Sequence, residues 1–135
     1  MLRVFLGGTV NNSNWREPFK KMLKIDYFDP VVENWDDTSY RKEFDEKFKC
    51  DFCLYVITPK ISGYYSIAEV VDESNKYPQK TLFCILTNDG GEKFSAFQLK
   101  SLHAVGKIIE NNGGKWFKNL DDVANYLNGF YSSRL

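Results

Sequence analysis

The pattern of apolar and polar residues predicts five short strands that alternate with five helices. The apolar runs are rich in β-branched and aromatic residues and are stopped by turn residues, as is typical of buried strands. Between these runs, apolar residues recur three and four positions apart, which is typical of amphipathic helices. Strands are predicted at 3–6, 26–28, 52–58, 81–86 and 115–117, and helices at 15–23, from an N-cap at Thr38 onward, and at 66–76, 95–112 and 120–131.

This alternation predicts the fold class. Strands separated by helices need right-handed crossover connections, which produce a parallel sheet with helices on both faces. For five strands the commonest small arrangement is the flavodoxin-like α/β three-layer sandwich with strand order 2-1-3-4-5. Residues 1–135 are enough for one such domain. In this order, a ligand crevice opens beside strands 1 and 3, at their carboxyl ends.

Composition narrows the range of partners. The 18 Lys and Arg residues are balanced by 18 Asp and Glu residues, so no net charge favours a nucleic-acid polymer or a membrane surface. No apolar run approaches the roughly 18 residues of a membrane span, and the amino terminus lacks the pattern of a signal peptide. Three cysteines and one histidine form no metal-ligand pattern and are typical of buried thiols in a reducing compartment. We expect a cytoplasmic protein without a metal site that binds a small molecule or a protein.

The loop after strand 1 is a candidate binding loop. Gly7 and Gly8 would let a ligand approach the backbone closely. Thr9 and the polar residues 11–14, which end with Asn14, offer hydroxyl and amide groups suited to sugar or phosphate oxygens. The same residues also suit an ordinary turn that caps the next helix, and both interpretations remain open.

Three charged residues near the same edge could hold a ligand. Arg16 lies in the first turn of helix 1, where it would reach a phosphate bound at the N-terminus of that helix. The alternative is that Arg16 has only a structural role. Asp45, on helix 2, could accept hydrogen bonds from sugar hydroxyls or pair with Arg41 one turn earlier. Asp29, at the end of strand 2, could accept such hydrogen bonds equally well.

Glu69 is the leading candidate for chemistry. It follows the apolar run of strand 3, with Thr58 at its end, and the loop KISGYY, which contains Ser62. Glu69 falls in the first turn of the next helix, where open α/β sheets have their ligand crevice. A carboxylate at this place can act on a ligand, although it also complements the positive N-terminus of the helix.

Aromatic residues near the predicted crevice could contact a base. Trp15, Trp35, Tyr64 and Tyr65 could stack on it or orient Glu69 through a hydroxyl group, although aromatic residues more often belong to the core.

The order of these motifs resembles a known family. The chain is similar to the nucleoside 2-deoxyribosyltransferases and their nucleotide N-glycosidase relatives. The motifs that carry this resemblance are, in order, VFLGGT, a helix that begins with Trp15 and Arg16, FDP, an acid-bearing helix, CDFCLYVITP, a Ser/Gly/Tyr loop and a glutamate that opens a helix. The resemblance runs over about residues 3–86. It implies a flavodoxin-like, cofactor-free homo-oligomer that acts on a nucleoside or nucleotide.

The resemblance also implies roles for single residues. Glu69 would be the catalytic glutamate, Asp45 would be the acid that holds the sugar, and residues 7–9 would be the glycine-bearing loop. The chain departs from the family pattern at two points. Thr58 stands where the family often has an aspartate, and Val71 stands where it often has a glycine two residues after the glutamate.

This chemistry suits the residue types. Cleavage of an N-glycosidic bond develops positive charge at the anomeric carbon, which a carboxylate below the sugar stabilises or bonds. The glycosyl group then passes to a second base or to water, and the sequence leaves both outcomes open. A catalytically silent nucleotide-binding module and an FMN-binding flavodoxin also remain possible interpretations. A receiver domain would need paired acids after strand 1, where this chain has Gly7 and Gly8.

Overall fold

The structure is a computed structural model that describes residues 1–10, 12–31 and 36–133. Five parallel strands form one sheet in the order β2-β1-β3-β4-β7, so the predicted flavodoxin-like sandwich is confirmed. The strands of this sheet are β1 Arg3–Gly8, β2 Asp26–Phe28, β3 Phe52–Ile57, β4 Thr81–Ile85 and β7 Lys115–Phe117. A separate hairpin contains β5 Asn88–Asp89 and β6 Glu92–Lys93. The helices are α1 Arg16–Met22, α2 Asp37–Lys49, α3 Tyr65–Lys76, α4 Ala96–Asn111 and α5 Leu120–Ser133.

Alternate side chains of the central strands enter two separate cores. On β3, Leu54 and Val56 belong to the core that α1 and α5 cover, while Tyr55 and Ile57 belong to the core under α3 and α4. All six residues of β3 are buried, because this strand lies in the middle of the sheet with helices on both faces. The sheet thus holds the carboxyl ends of its strands in fixed positions.

Two helix starts differ from the predictions, and two aromatic side chains of α2 are exposed. Helix α2 begins at Asp37, so Thr38 lies inside the helix. Helix α3 begins at Tyr65, which places Glu69 in the second helical turn instead of the first. Phe44 and Phe48 are 56% and 65% exposed, because α2 turns other residues towards the sheet edge, and the side chain of Tyr40 lies outside the described part.

A hairpin that the sequence pattern does not predict lies between β4 and α4. Strands β5 and β6 pair antiparallel around Gly90 and Gly91, whose φ angles are 58° and 86°. Positive φ at both central positions is the requirement of a type I′ turn, which Asp-Gly-Gly sequences favour. Ser13 Oγ donates to Asp89 Oδ2 at 2.5 Å, so the hairpin supports the loop after β1.

In the described ranges of the chain, the helices are too short or too polar to span a bilayer.

Gly8 is required by the packing of β1 against β3. Its φ is +112°, and a Cβ there would lie 2.1 Å from the backbone oxygen of Val56. We expect Gly8→Ala to lower the free energy of unfolding by more than about 3 kcal/mol, because it combines backbone strain with overlap against backbone atoms. Chemical denaturation measures this effect. Gly129→Ala is the control, because a Cβ there meets open space inside α5, and it should stabilise the protein or leave it unchanged.

Candidate functional site

A cavity of about 780 Å³ opens at the carboxyl ends of β1, β2 and β3. The end of β1, the residues after β2, one side of α2 and the start of α3 form its walls. This is the crevice beside strands 1 and 3 that the predicted topology requires. The lining residues are Gly7, Gly8, Val10, Arg16, Pro30, Val31, Glu43, Phe44, Lys47, Gly63, Tyr65, Ser66 and Glu69.

Glu69 lies in the wall of this cavity and forms an ion pair with Lys47. Its Oε2 accepts a hydrogen bond from Lys47 Nζ at 2.9 Å, and the two side chains are only 11% and 16% exposed. Burial alone would lower the pKa of Lys47, but the charges of Glu69 and Glu73 and the hydrogen bond outweigh this effect, so the pKa is raised. Lys47 is therefore a cation at neutral pH and gives Glu69 a fixed partner.

A second carboxyl group, that of Glu43, lines the same cavity. Burial raises its pKa to about 7, and the negative charge of Glu69 adds to this effect, while Lys47 and Arg16 oppose it. A carboxyl group with this pKa is about half protonated at neutral pH and can donate a proton. The cavity thus combines a proton-donating acid with a carboxylate that is held by an ammonium group.

Arg16 is 5% exposed and lies at the floor of the cavity. Its Nε donates to the backbone oxygen of Leu6 and its Nη1 to that of Thr9, at 3.1 and 2.7 Å. Its Nη2 is buried and has no hydrogen-bond partner among the residues that the structure describes. Burial lowers the pKa of Arg16 to about 10, although Asp29 and Glu43 oppose the shift, so the guanidinium remains charged at neutral pH.

Thr9, Trp15 and Thr58 build the cavity without lining it. The backbone oxygen of Thr9 accepts from Trp15 Nε1 at 2.9 Å, and its Oγ1 accepts from the backbone N–H of Thr58 at 3.0 Å. Trp15 also lies 4.4 Å below the guanidinium of Arg16. These contacts fix the loop after β1 to the end of β3, which is a structural role.

The other predicted residues are placed as follows. Asp29 forms ion pairs with Arg16 and Lys20 at 3.6 and 2.6 Å, next to the cavity lining. Tyr65 is exposed at the rim of the cavity, whereas Ser62 lines a neighbouring, more open concavity. Asn14 and Asp45 are exposed and do not line the cavity, while Asn11 and Trp35 lie outside the described residues.

Glu43 and Lys47 line the cavity although the sequence pattern did not predict them there. Their spacing of four residues, with the glutamate first, is the usual pattern of a solvated pair on a helix surface, so it carried no signal for a cavity. The available signal was that α2 is mostly polar and that Phe44 and Phe48, four residues apart, share one of its faces.

The three cysteines are free and buried. Burial raises the pKa of Cys50 to about 11 and that of Cys84 to about 12, and the same cause raises the pKa of Cys53 further. These thiols are therefore protonated and unreactive at neutral pH. Within residues 1–10, 12–31 and 36–133, no group of His, Cys, Asp and Glu residues is arranged to bind a metal ion.

Comparison with known proteins places the chain beside one family. The sequence model of a family described as nucleoside 2-deoxyribosyltransferase like matches residues 1–88. This range contains β1 to β4 and every residue of the cavity lining. No curated protein matches the chain.

Proposed function

Because the chain belongs to the nucleoside 2-deoxyribosyltransferase-like family, we propose that it cleaves or transfers the N-glycosidic bond of a nucleoside or nucleoside 5′-monophosphate, with Glu69 as the nucleophile. The observation that carries this proposal is the pair of unlike carboxyl groups in one cavity. Glu69 is held by Lys47 Nζ at 2.9 Å, and Glu43 has a pKa raised to about 7. One carboxyl group that acts as nucleophile and a second that acts as acid are what glycoside cleavage through a glycosyl ester requires.

In the first step, an oxygen of the Glu69 carboxylate attacks the anomeric carbon. The bond between this carbon and the base nitrogen breaks, and its electron pair remains with the base. Glu43 donates its proton to the departing base, so the base leaves as a neutral molecule. The products of this step are the free base, an ionised Glu43 and a glycosyl ester of Glu69.

In the second step, water or another base attacks the anomeric carbon. Glu43 accepts the proton of the attacking group, and the ester bond to Glu69 breaks with its electrons returning to the carboxylate. Water yields a free sugar and makes the protein a hydrolase, whereas a second base makes it a transferase. The 780 Å³ cavity has room for a nucleoside.

Incubation with a panel of substrates tests the proposal. The protein is mixed with purine and pyrimidine nucleosides and their 5′-monophosphates, with and without an acceptor base, and products are separated by chromatography. Release of free base without acceptor identifies a hydrolase, and exchange of bases identifies a transferase. Binding of a nucleotide without any product would contradict the catalytic proposal.

We expect a preference for 5′-monophosphates that depends on Arg16. Its buried Nη2 has no partner in the described chain, and a phosphate oxygen would supply one. Arg16→Ala should weaken binding of the monophosphate about tenfold or more and leave binding of the nucleoside nearly unchanged. Calorimetric titration of both ligands measures the difference. If the alanine variant loses stability, Arg16→Lys takes its place, because it keeps the positive charge. Lys21→Met, at an exposed site on α1, is the control. Equal affinities for the two ligands in the unmodified protein would contradict the prediction.

One observation favours a catalytically silent nucleotide-binding module as a second candidate. The carboxylate of Glu69 is already engaged by Lys47, and such a contact would weaken a nucleophile if it persisted with substrate bound. The substrate panel separates the two candidates, because the silent module would bind a ligand without product formation.

A further inference from the structure

Two ion pairs lie between α2, α3 and the turn before β4. Lys80 Nζ lies 3.7 Å from Glu73 Oε1, and Lys47 Nζ lies 2.9 Å from Glu69 Oε2. Glu43, one turn before Lys47 on α2, lines the same cavity as Lys47 and Glu69 and is the fifth member of this group of charged side chains. The side chains of both ion pairs are largely shielded from solvent.

The three glutamates of this group differ in their direct partners. Lys47 and Lys80 each pair with one glutamate, and Arg16 acts on Glu43 only at longer range. Lys80 also donates to the backbone oxygens of Lys47 and Cys50, at 3.4 and 3.3 Å, so its position is fixed by the C-terminus of α2. Glu43 has no ion pair in the described chain, whereas Glu69 and Glu73 each have one.

We infer that Lys47 is a positioning residue, which holds the carboxyl group of Glu69 in the cavity wall by a direct ion pair and leaves Glu43 as the carboxyl group of the cavity that it does not contact. This inference rests on the proposed function, since it assigns the nucleophile and the acid of that reaction. Lys47 Nζ donates to Glu69 Oε2 at 2.9 Å and acts on Glu43 only at longer range, so it fixes the position of Glu69 and, through its charge, opposes the rise in the pKa of Glu43.

Glu43 is faced by charged and titratable groups from four elements. Glu69 on α3 is negative, whereas Lys47 on α2 and Arg16 on α1 are positive. The fourth group is the buried hydroxyl of Tyr55 on β3, whose pKa the charge of Glu43 helps to raise. Burial keeps this hydroxyl protonated, because it raises the pKa of Tyr55. The groups that move the titration of Glu43 are therefore Glu69, Lys47 and Arg16.

Titration of the Glu43 carboxyl group tests the inference without any reaction. Glutamate carboxyl carbons are labelled with carbon-13, and the Glu43 signal is assigned by its loss in Glu43→Gln. The Lys47→Met variant should titrate Glu43 about one pH unit higher than the unmodified protein, because an opposite charge is removed. Glu69→Gln should move the midpoint to lower pH, because a like charge is removed.

Matched variants separate the role of Lys47 from general effects of substitution. Lys47→Arg should restore the original midpoint, and Lys49→Met, at an exposed site on the same helix, should not move it. If Lys47→Met does not fold, Lys47→Gln takes its place in the same titration. An unchanged Glu43 midpoint in the folded Lys47 variant would overturn the inference, even if the protein cleaves nucleosides.

The same variants give a kinetic measurement if the proposed function holds. The alkaline limb of the pH profile of kcat/KM should move to higher pH in Lys47→Met by the same amount as the titration, and Lys47→Arg should restore it. If the Glu43 midpoint shifts in Lys47→Met but the unmodified protein cleaves no substrate, the proposed reaction is wrong and the electrostatic role of Lys47 stands. An alkaline limb that stays in place while Glu43 titrates higher would overturn the assignment of Glu43 and Lys47 to catalysis.

Discussion

Glutamine at position 69 should abolish release of the base, with kcat/KM about 10³-fold or more below that of the unmodified protein. The reason is that an amide oxygen cannot form the glycosyl ester or balance the positive charge on the anomeric carbon. The variant keeps the size of the side chain in a cavity wall, so the fold should persist. Chromatography of the products and circular dichroism of the same sample measure the two effects.

Asp72→Asn is the matched control for Glu69→Gln. Asp72 lies three residues further along α3, is exposed, and pairs only with Lys76 at 2.9 Å in the described chain. Its replacement should leave turnover within about twofold, because exposed ion pairs of this kind contribute little. Substrate turnover that survives in purified, folded Glu69→Gln would remove Glu69 from the mechanism.

Replacement of Glu43 by glutamine should lower kcat/KM by about 10²-fold to 10⁴-fold, because the leaving base loses its proton donor. In the unmodified protein, kcat/KM should fall as the pH rises through about 7, since Glu43 then loses the proton that it donates. The residual activity of Glu43→Gln should lack this alkaline limb. Initial rates between pH 5 and pH 9 measure both effects. Asp45→Asn is the control, because Asp45 is exposed outside the cavity lining.

Stability gives an independent test of Glu43. Its folded pKa of about 7 lies above its ordinary value of 4.5, so the unfolded chain releases this proton at lower pH than the folded chain. The ionised carboxylate therefore costs stability, and this cost grows between about pH 4.5 and pH 7 and persists above it. At pH 8, Glu43→Gln should be more stable by about 1 kcal/mol, after allowance for the solvent that screens a half-buried group. A variant that loses activity and also loses stability at pH 8 would indicate a structural role.

The fold was largely predictable because local pattern and tertiary burial agree. The wholly apolar β3 can only lie in the middle of a sheet covered on both faces, and it does. The periodicity of α4 and its capping box at Ser95 and Gln98 indicate the same helix start. The hairpin was missed because β5 and β6 have two residues each and contain no apolar residue, so their only signal is the turn.

The site was predictable where the topology alone places residues. Gly7 and Gly8 end β1 and Glu69 lies in the helix after β3, so all three line the cavity, because the carboxyl ends of parallel strands meet at one edge of the sheet. The acid on α2 was not predictable in this way, because its direction depends on how the helix lies on the sheet. Asp45 and Glu43 are two residues apart, which is about 200° around a helix, so only one of them can face the cavity. A single sequence without the helix orientation cannot decide between them.

Because all three thiols are buried, their reaction with a thiol reagent measures how often the core of the protein opens. Cys53 and Cys84 lie on the two central strands, and Cys50 lies just before β3. A thiol reagent can reach these residues only when the strands separate from their helices, so the rate of labelling reports how often the middle of the sheet becomes accessible. Bound nucleotide, by holding the ends of β1 and β3 together, should slow all three labelling reactions in parallel.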